Sequence, residues 1–436
     1  MLGYEKEQRS LTREQKEATG ILSTATFLEY FDLMLYVHLA VLLNELFFPK
    51  YDSSAASLLS AFTFCSTFIF RPLGAYVFGR IGDKLGRKST VIMTTTLMAL
   101  SCIIMANAPT YEQVGYFAAV LITICRAIQG MASVGEIVGA ELYLTEITKP
   151  PIQYPVVSFI AVASVIGTTA ALAIASLVTT QGFNWRLAFW IGAIIAVVGG
   201  YARTHLRETP DFVDASARLL RKYEKANIDK KELKNDEIFN QKPNKKTTIY
   251  FFIMSCAWPI CFYYTYITCG KVLKNSFGYS AAQVIHHNFI ISMFHLASMS
   301  LICFLSYKIY LLKILRVKLA LLFIFILFSP YLLKSTTTPF QLLLIQIGLI
   351  ICSFDTVPAV SIFFRHFPVF KRFTYSSMIY AVSRALMYII TSFGIIYLTK
   401  YLSQYGLFVV MVPLLIICMF GLNHFQKLEK EAGYSW

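Results

Sequence analysis

The chain has 436 residues, of which 56% are hydrophobic and 14% charged, and its mean hydropathy is +0.59. A soluble domain carries about a quarter charged residues, so this composition excludes an ordinary soluble protein. The formal net charge is +15, but the basic residues are scattered over short loops and form no single stripe, which argues against nucleic acid as a partner. A membrane crossing takes roughly 20 apolar residues, so a dozen crossings fit.

Apolar runs of this length form two sets of six. The first set occupies 19–202 after a polar N-terminal segment, 1–18, and the second occupies 248–424 before a polar tail, 425–436. Between them, 203–247 is rich in Lys, Glu, Asp and Asn and is predicted to be a central cytoplasmic loop. The predicted spans are 19–43, 55–79, 89–107, 113–142, 154–179, 185–202, 248–270, 282–306, 309–330, 338–363, 373–399 and 404–424.

The basic residues predict how the spans are oriented, because Lys and Arg accumulate in cytoplasmic loops. If both termini are cytoplasmic, 30 of the 39 basic residues fall in inner segments and five in outer ones, while four arginines lie within or at the edge of spans. Both termini are therefore predicted to be cytoplasmic. The sequence contains no Cys-x-x-Cys pair and no nucleophile–base set, so we expect neither an enzyme nor a metal or cofactor site.

The connection between the second and third spans carries the strongest local motif. It contains Gly79, Asp83, Gly86, Arg87 and Lys88 in the pattern Gly-x-x-x-Asp-Lys-x-Gly-Arg-Lys. Glycines permit a tight turn, and a carboxylate can sit at a helix N-terminus and pair with arginine. The motif resembles the signature of the major facilitator superfamily. The resemblance implies a gate in which Asp83 approaches the start of helix 11.

Further stretches, in the same order, resemble the metabolite/proton symporter branch of that superfamily, which includes carriers of proline and betaine, α-ketoglutarate, shikimate and citrate. They are Leu-Glu-Tyr-Phe-Asp at 28–32, Arg-Pro-Leu-Gly at 71–74 and a helix-4 stretch that runs from Arg126 through Gln129, Gly130, Gly135 and Glu136. The second copy of the loop signature, between helices 8 and 9, lacks its Asp and Gly, so the gate of the second half is expected to be looser or differently held.

This resemblance implies an all-α polytopic membrane protein with twelve transmembrane helices in two six-helix bundles. It also implies a bacterial inner-membrane location, a small-molecule substrate and H+ as partners besides the lipid bilayer, a proton gradient in place of a cofactor, and function as a monomer. The substrate site is expected between the two bundles, near the middle of the membrane.

Charged residues inside spans are costly and are functional candidates. Glu29 and Asp32 lie about 16 and 21 Å from the inner end of helix 1, and Arg126 lies about 18 Å from the outer end of helix 4. Glu29, Asp32 and Tyr36 share one helical face, and two carboxylates so close cannot both ionise cheaply unless Arg126 compensates. We therefore predict a proton-coupling group here. A buried pair that only fixes helix packing is the alternative.

Other intramembrane charges receive different interpretations. Arg384, about 16 Å into helix 11, is predicted to clamp a substrate carboxylate, and a salt bridge to Asp355 in helix 10 is the competing account. Arg71 is expected to be a structural partner, and Glu136 to support the inner gate. Glu141 is expected to reach the inner edge of the membrane.

Two groups of uncharged residues complete the predictions. Tyr263, Tyr264 and Tyr266 in helix 7 are interpreted as an aromatic belt at the outer interface in preference to a cation–π site. Small residues repeat every four positions along helix 5, including Gly167, and predict close helix contact there.

The function predicted from these patterns is secondary active transport. We expect proton symport of a small zwitterionic or carboxylate metabolite by alternating access. Two alternatives stay open: an uncoupled facilitator or exchanger, and a diverged membrane protein that senses or scaffolds without transporting.

Overall fold

The computed structural model describes residues 7–48, 53–85, 87–133, 136–180, 184–204, 243–394, 401–402 and 405–433. Within these ranges the side chains at 40–42, 44–45, 53–60, 79–92, 95, 136, 180, 196, 199–204, 369–371 and 373 are not covered. Among the described residues, the only extended pairing is an isolated bridge between Gln8 and Pro151. All other regular secondary structure in the described residues is helical.

The N-terminal half contains nine helices in its described part. They are α1 (Arg13–Phe47), α2 (Ser53–Ile69), α3 (Arg71–Leu85), α4 (Arg87–Ala106), α5 (Tyr111–Val114), α6 (Tyr116–Ala132), α7 (Glu136–Ile147), α8 (Gln153–Thr180) and α9 (Arg186–Thr204).

The C-terminal half contains a second series of helices and two π-helical segments, Tyr263–Thr268 and Ile390–Gly394. Its α-helices are α10 (Lys245–Ser255), α11 (Ala257–Phe262), α12 (Cys269–Phe277), α13 (Ala281–Lys308), α14 (Leu311–Lys334), α15 (Pro339–Cys352), α16 (Val360–Arg365), α17 (Val369–Ile389) and α18 (Gly406–Glu431).

Helix starts follow from local sequence. Before α1, Thr12 accepts a hydrogen bond from the backbone N–H of Gln15, whose side chain accepts in return from the Thr12 N–H. Ser280 and Gln283 form the same reciprocal cap on α13. Each pair has a Ser or Thr followed three residues later by Gln, and it satisfies two backbone donors that a helix start otherwise leaves unpaired.

Six helical stretches in the described part of the chain are long and apolar enough to cross a membrane. They are Ala61–Phe78, Tyr116–Ile147, Gln153–Thr179, Lys245–Phe277, Ala281–Lys308 and Gly406–Glu431. Shorter apolar helices cover Thr96–Ala106, Arg186–Ile195 and Pro339–Cys352.

Several predicted spans are interrupted in the structure. The second span breaks at Phe70, between α2 and α3, and the tenth loses its helix over 353–359, between α15 and α16. Asp355, predicted inside helix 10, therefore lies in an irregular stretch. Helix α1 starts at Arg13, inside the predicted N-terminal tail, and α18 continues to Glu431, inside the predicted C-terminal tail. The predicted central loop at 203–247 lies mostly outside the described residues.

Helix α8 packs along α1 of its own half and along α13 of the other half. On the opposite side of the molecule, α17 of the C-terminal half contacts α2, α3 and α7. A Cβ atom built on Gly167 would stand 2.3 Å from the Phe27 carbonyl oxygen, so α8 and α1 touch through their backbones. The halves therefore meet along two seams, and the space between the seams holds the site.

The chain's N-terminal segment is fixed to the connection before α8. The backbone N–H of Gln8 donates to the Pro150 carbonyl at 2.9 Å, and the Ile152 N–H donates to the Gln8 carbonyl at 3.2 Å. The Gln15 side chain adds a bond to the Ile147 carbonyl at 2.6 Å.

The last helix ends at the same place. Glu429 is fully buried and accepts a hydrogen bond from the Tyr310 hydroxyl at 2.8 Å. Its oxygens also lie 2.8 Å from His366 Nε2 and 3.4 Å from Arg365 Nη1. Arg365 reaches across to the Tyr154 hydroxyl, 3.5 Å away, at the start of α8. Both termini therefore lie at one end of the bundle, which we name the terminal end; the opposite end is the far end.

Candidate functional site

A cavity lies between the halves, in the part of the bundle nearer the terminal end. It encloses about 970 Å³ of space not filled by protein atoms, part of it open to solvent. Its walls come from α1, α7 and α8 of the N-terminal half and from α10, α17 and the 353–359 stretch of the C-terminal half. Its charged lining residues are Arg71, Glu141, Asp355 and Arg384.

Two arginines, one from each half, lie around a single tyrosine ring. The guanidinium carbon of Arg384 is 3.4 Å from the centre of the Tyr380 ring, and that of Arg71 is 5.9 Å from it. The Tyr380 hydroxyl is hydrogen-bonded to the Tyr30 hydroxyl of α1. These contacts hold two cations at one cavity wall, where guanidinium groups can bind a carboxylate in bidentate fashion.

Arg71 is held by the break between α2 and α3, since it is the first residue after Phe70. Its Nη2 donates to Ser133 Oγ at 3.1 Å and lies 3.9 Å from Glu29 Oε1. The sequence interpretation of Arg71 as only a structural partner is incomplete, because the same side chain lines the cavity.

Arg384 also lines the cavity, next to Asp355. The competing salt bridge between these two residues is not among the ion pairs within 4.0 Å formed by the described residues. Asp355 is instead bound locally: its Oδ1 accepts from the Thr356 N–H at 2.7 Å and from the Thr356 hydroxyl at 3.3 Å. Arg384 is therefore available to a ligand from the cavity side.

Glu141 is placed differently from its prediction. It is 5% exposed and lines the cavity from α7, and the charged groups acting on it are Asp355 and Arg384 of the other half. The expectation that it reaches the inner membrane edge was wrong, because depth along a helix does not say which side of the helix a residue occupies.

The predicted coupling residues divide into two neighbouring groups. Glu29 lies beside Arg71. Arg126 is fully buried, stacks 4.3 Å over the Tyr36 ring and donates to Gln129 Oε1 at 2.6 Å.

Asp32 lies close to the Arg126 group. Cys102, which accepts a hydrogen bond from Gln129, is within electrostatic reach of both Asp32 and Arg126. None of Glu29, Asp32 and Arg126 is a lining residue of the cavity, so they lie behind its wall. Their role in proton coupling stays a prediction.

The structure describes more of the helix-4 motif than of the gating motif. In the helix-4 motif, Gln129 holds Arg126 and Gly130 lies against the backbone of α2. Gly135 and the Glu136 side chain lie outside the described residues. Gly86 and the side chains of the other gating residues also lie outside the described residues. The contact of Asp83 with helix 11 therefore stays a prediction. The gating residues concerned are Gly79, Asp83, Arg87 and Lys88.

A contact that the sequence did not predict joins the halves at the terminal end. Arg372 Nη1 of α17 lies 3.2 Å from Glu146 Oε1 at the end of α7. The contact between Arg365 and Tyr154 joins the halves at the same end. A basic residue and an acidic residue at the ends of two distant helices carry no shared pattern in the sequence, so only the fold brings them together.

Loss of the ion pair between Glu146 and Arg372 is expected to lower the free energy of unfolding only slightly. Glu146 is 44% exposed, and exposed ion pairs contribute about 0–1 kcal/mol. A double-mutant cycle of Glu146→Gln and Arg372→Gln, followed by thermal unfolding of the purified protein, is expected to give a coupling free energy below about 1 kcal/mol. A coupling of several kcal/mol would contradict a weak, reversible closure.

Aromatic rings close the far end of the cavity. The Phe64 ring of α2 lies 5.5 Å from Tyr263 and 5.3 Å from Tyr388, and the His38 ring of α1 lies 5.4 Å from Tyr266. Tyr263, Tyr264 and Tyr266 are all buried, so the prediction of an exposed interfacial belt was wrong. Tyr266 and Trp258 face the cavity, where aromatic faces can attract a cation.

Comparison with known proteins agrees with this architecture. The sequence matches the Major Facilitator Superfamily over residues 22–391. The structure of the proton:xylose symporter XylE bound to 6-bromo-6-deoxy-D-glucose superposes with a TM-score of 0.73 at 14% identity, covering 95% of each chain. At that identity the likeness concerns the fold alone.

Named relatives match over part of their length. The inner membrane metabolite transport protein YhjE of Escherichia coli K12 is 34% identical over 219 residues, which are 48% of this chain and 50% of that protein. The proline/betaine transporter of the same strain is 30% identical over 204 residues, 45% of this chain and 41% of that protein. The chain spans about half the length of the curated relatives it matches.

These findings confirm the predicted all-α membrane fold and the expectation that the protein is not an enzyme. The family match covers most of the sequence, and a cavity lined by both halves is the arrangement that a carrier needs. The chain belongs to the Major Facilitator Superfamily of membrane transporters.

Proposed function

We propose that the protein is a secondary active transporter that carries a small zwitterionic or carboxylate metabolite together with a proton. The observation that carries the proposal is the charge arrangement of the cavity, in which Arg71 and Arg384 share the Tyr380 ring while Glu141 and Asp355 lie within the same walls.

A zwitterion matches these charges. Its carboxylate would meet the arginine pair, and its cationic group would meet Asp355 or the aromatic faces of Trp258 and Tyr266. A simple carboxylate would use the arginines alone, and a proton entering with it would keep the cavity close to neutral. The names of the relatives, a metabolite transport protein and a proline/betaine transporter, support substrates of this kind.

Alternating access requires closures that can open in turn. The terminal end is closed by a partly exposed ion pair and one long hydrogen bond, and the far end by aromatic contacts and a bond of 3.1 Å between Ser176 and His286. We propose that the terminal end faces the cytoplasm, in keeping with the distribution of lysine and arginine, and that the halves rock about the cavity.

The first experiment identifies the substrate. Purified protein is heated with proline, glycine betaine, a dicarboxylate or shikimate at two pH values, and a substrate is expected to raise the unfolding temperature because it binds only the folded state. No stabilisation by any compound, together with no uptake, would favour the sensor or scaffold alternative.

The second experiment tests proton coupling. Uptake of the stabilising compound into proteoliposomes is expected to rise with an imposed pH gradient, by up to about tenfold accumulation per proton and pH unit at equilibrium. A protonophore is expected to abolish the accumulation. Uptake that occurs but ignores both treatments would replace symport with the facilitator or exchanger alternative.

A further inference from the structure

The Glu141 side chain is buried in the protein and forms part of the cavity wall. It is 5% exposed, yet it lines the cavity from the N-terminal half. No described residue places a hydrogen-bond donor on its carboxyl group or a cation within 4.0 Å of it. A buried carboxylate without a partner is costly, and a proton bound to the carboxyl group removes the cost of that uncompensated charge.

Asp355 faces the same cavity from the C-terminal half but is better compensated. Its Oδ1 accepts two hydrogen bonds from Thr356, and buried Lys318 lies within its electrostatic reach, as does Arg384. Asp355 therefore has local partners that Glu141 lacks among the described residues. Two carboxyl groups that face one closed cavity cannot both be charged cheaply.

Few other charges reach Glu141 from the helices packed on α7, which are α1, α8, α16 and α17. Helix α8 contains no acidic, basic or histidine residue. Glu29 of α1 lies beside Arg71, Arg365 of α16 pairs with Glu429, and Arg372 of α17 pairs with Glu146. Of the described side chains on these elements, Arg384 is the cation that acts on Glu141, opposed by Asp355.

We infer that Glu141 is the carboxyl group that takes up and releases the transported proton, an inference that rests on the proposed symport. Opening of the terminal end hydrates the cavity and lets Glu141 pass its proton to water. Closure removes that water and brings the two acids of opposite halves together, which requires Glu141 to hold a proton again. The proton is thus bound where the two halves meet.

The test needs no substrate. The full-length protein in lipid vesicles is stepped between about pH 8 and pH 6, well above the value near 4 at which exposed carboxyls titrate, and the infrared difference spectrum is recorded. A band of a protonated carboxyl is expected on acidification. Glu141→Gln is expected to remove the band, whereas Glu141→Asp is expected to keep one at a shifted position.

Two matched variants serve as controls. Glu431→Gln removes a carboxyl group that is more than half exposed and pairs with Lys427 at the end of α18, so it is expected to leave the band unchanged. Glu29→Gln tests the carboxyl group predicted from the sequence, and it too is expected to leave the band in place. A band that survives Glu141→Gln, vanishes in Glu29→Gln or is absent from the unmodified protein overturns the inference.

The infrared test of Glu141 and the uptake test of proton symport can fail independently. If the band behaves as expected but uptake ignores a pH gradient, proton symport fails while Glu141 remains a titrating group. If uptake follows the gradient and Glu141→Gln retains that response, symport stands and the assignment to Glu141 fails. Glu141→Asp, which keeps the carboxyl, is expected to retain the response to the gradient and so separates loss of the proton site from misfolding.

Discussion

Arg384→Gln is expected to lower substrate uptake at low concentration by about 100-fold. A hydrogen bond to a charged group contributes about 1.5–3 kcal/mol, and each 1.4 kcal/mol is about tenfold. Glutamine removes the cation that lies over Tyr380 and leaves the substrate carboxylate with Arg71 alone. The measurement is initial uptake into proteoliposomes over a range of substrate concentrations.

A lysine at position 384 separates the effect of the positive charge on uptake from the effect of the planar guanidinium group. Arg384→Lys retains the charge but loses the planar, bidentate hydrogen-bond donor, so we expect uptake to fall by only about tenfold. Arg316→Gln is the control, because Arg316 binds Asn423 at 3.0 Å, and also Gln426, away from the cavity. If Arg384→Gln transports as well as Arg316→Gln, the arginine pair is not the carboxylate site.

Gly130→Ala is expected to cause the largest loss of stability among single small substitutions. A Cβ atom at this position would stand 1.9 Å from the Thr67 carbonyl oxygen, which cannot move without moving α2. Overpacking usually costs about 1–3 kcal/mol, and a rigid backbone neighbour points to the upper end. We expect the unfolding temperature to fall by roughly 3 °C.

Gly20→Ala provides the matched control. Gly20 lies in α1 with nothing within 4 Å of its Cβ position, so alanine there is expected to stabilise the helix by about 0.5–1 kcal/mol. The same chemical change is thus predicted to have opposite signs at the two sites. Gly74→Ala, with Met131 backbone atoms at 2.3 Å and beyond, is expected to resemble Gly130→Ala. A rise in unfolding temperature for Gly130→Ala would contradict the packing of α2 on α6.

Hydropathy predicts the membrane fold well because a bilayer imposes one length and one composition on every crossing. It does not predict the helix interruptions at Phe70 and at 353–359, since the hydropathy of an apolar run is the same whether its helix is continuous or interrupted. Both interruptions lie beside charged cavity residues, Arg71 and Asp355. The signal available in the sequence was Pro72 after Arg71 and Pro358 after Asp355, because proline disturbs helical hydrogen bonds.

The candidate site was only partly predictable for a different reason. Depth within a span follows from counting residues, and it placed Arg384 correctly beside the cavity. Rotation about the helix axis depends on the partners of each helix, which no single span encodes. Glu141 was therefore placed wrongly. The prediction for Arg71 was right about a structural role, since it contacts Glu29 and Ser133, but missed that it lines the cavity. Glu29 and Arg126, at similar predicted depth, belong to different local groups.

The π-helical segment Tyr263–Thr268 gives one wall of the cavity a place to bend. Its Thr265 carbonyl accepts from the Gln346 side chain at 2.6 Å, and its Tyr266 carbonyl from Asn288 at 3.4 Å. A wider turn loosens the regular ladder of backbone bonds, and side chains of two other helices supply replacements. These replacements can break and re-form without unfolding a helix. Two of the rings that close the far end, Tyr263 and Tyr266, are thus carried on a turn whose backbone is held in part by two amide side chains.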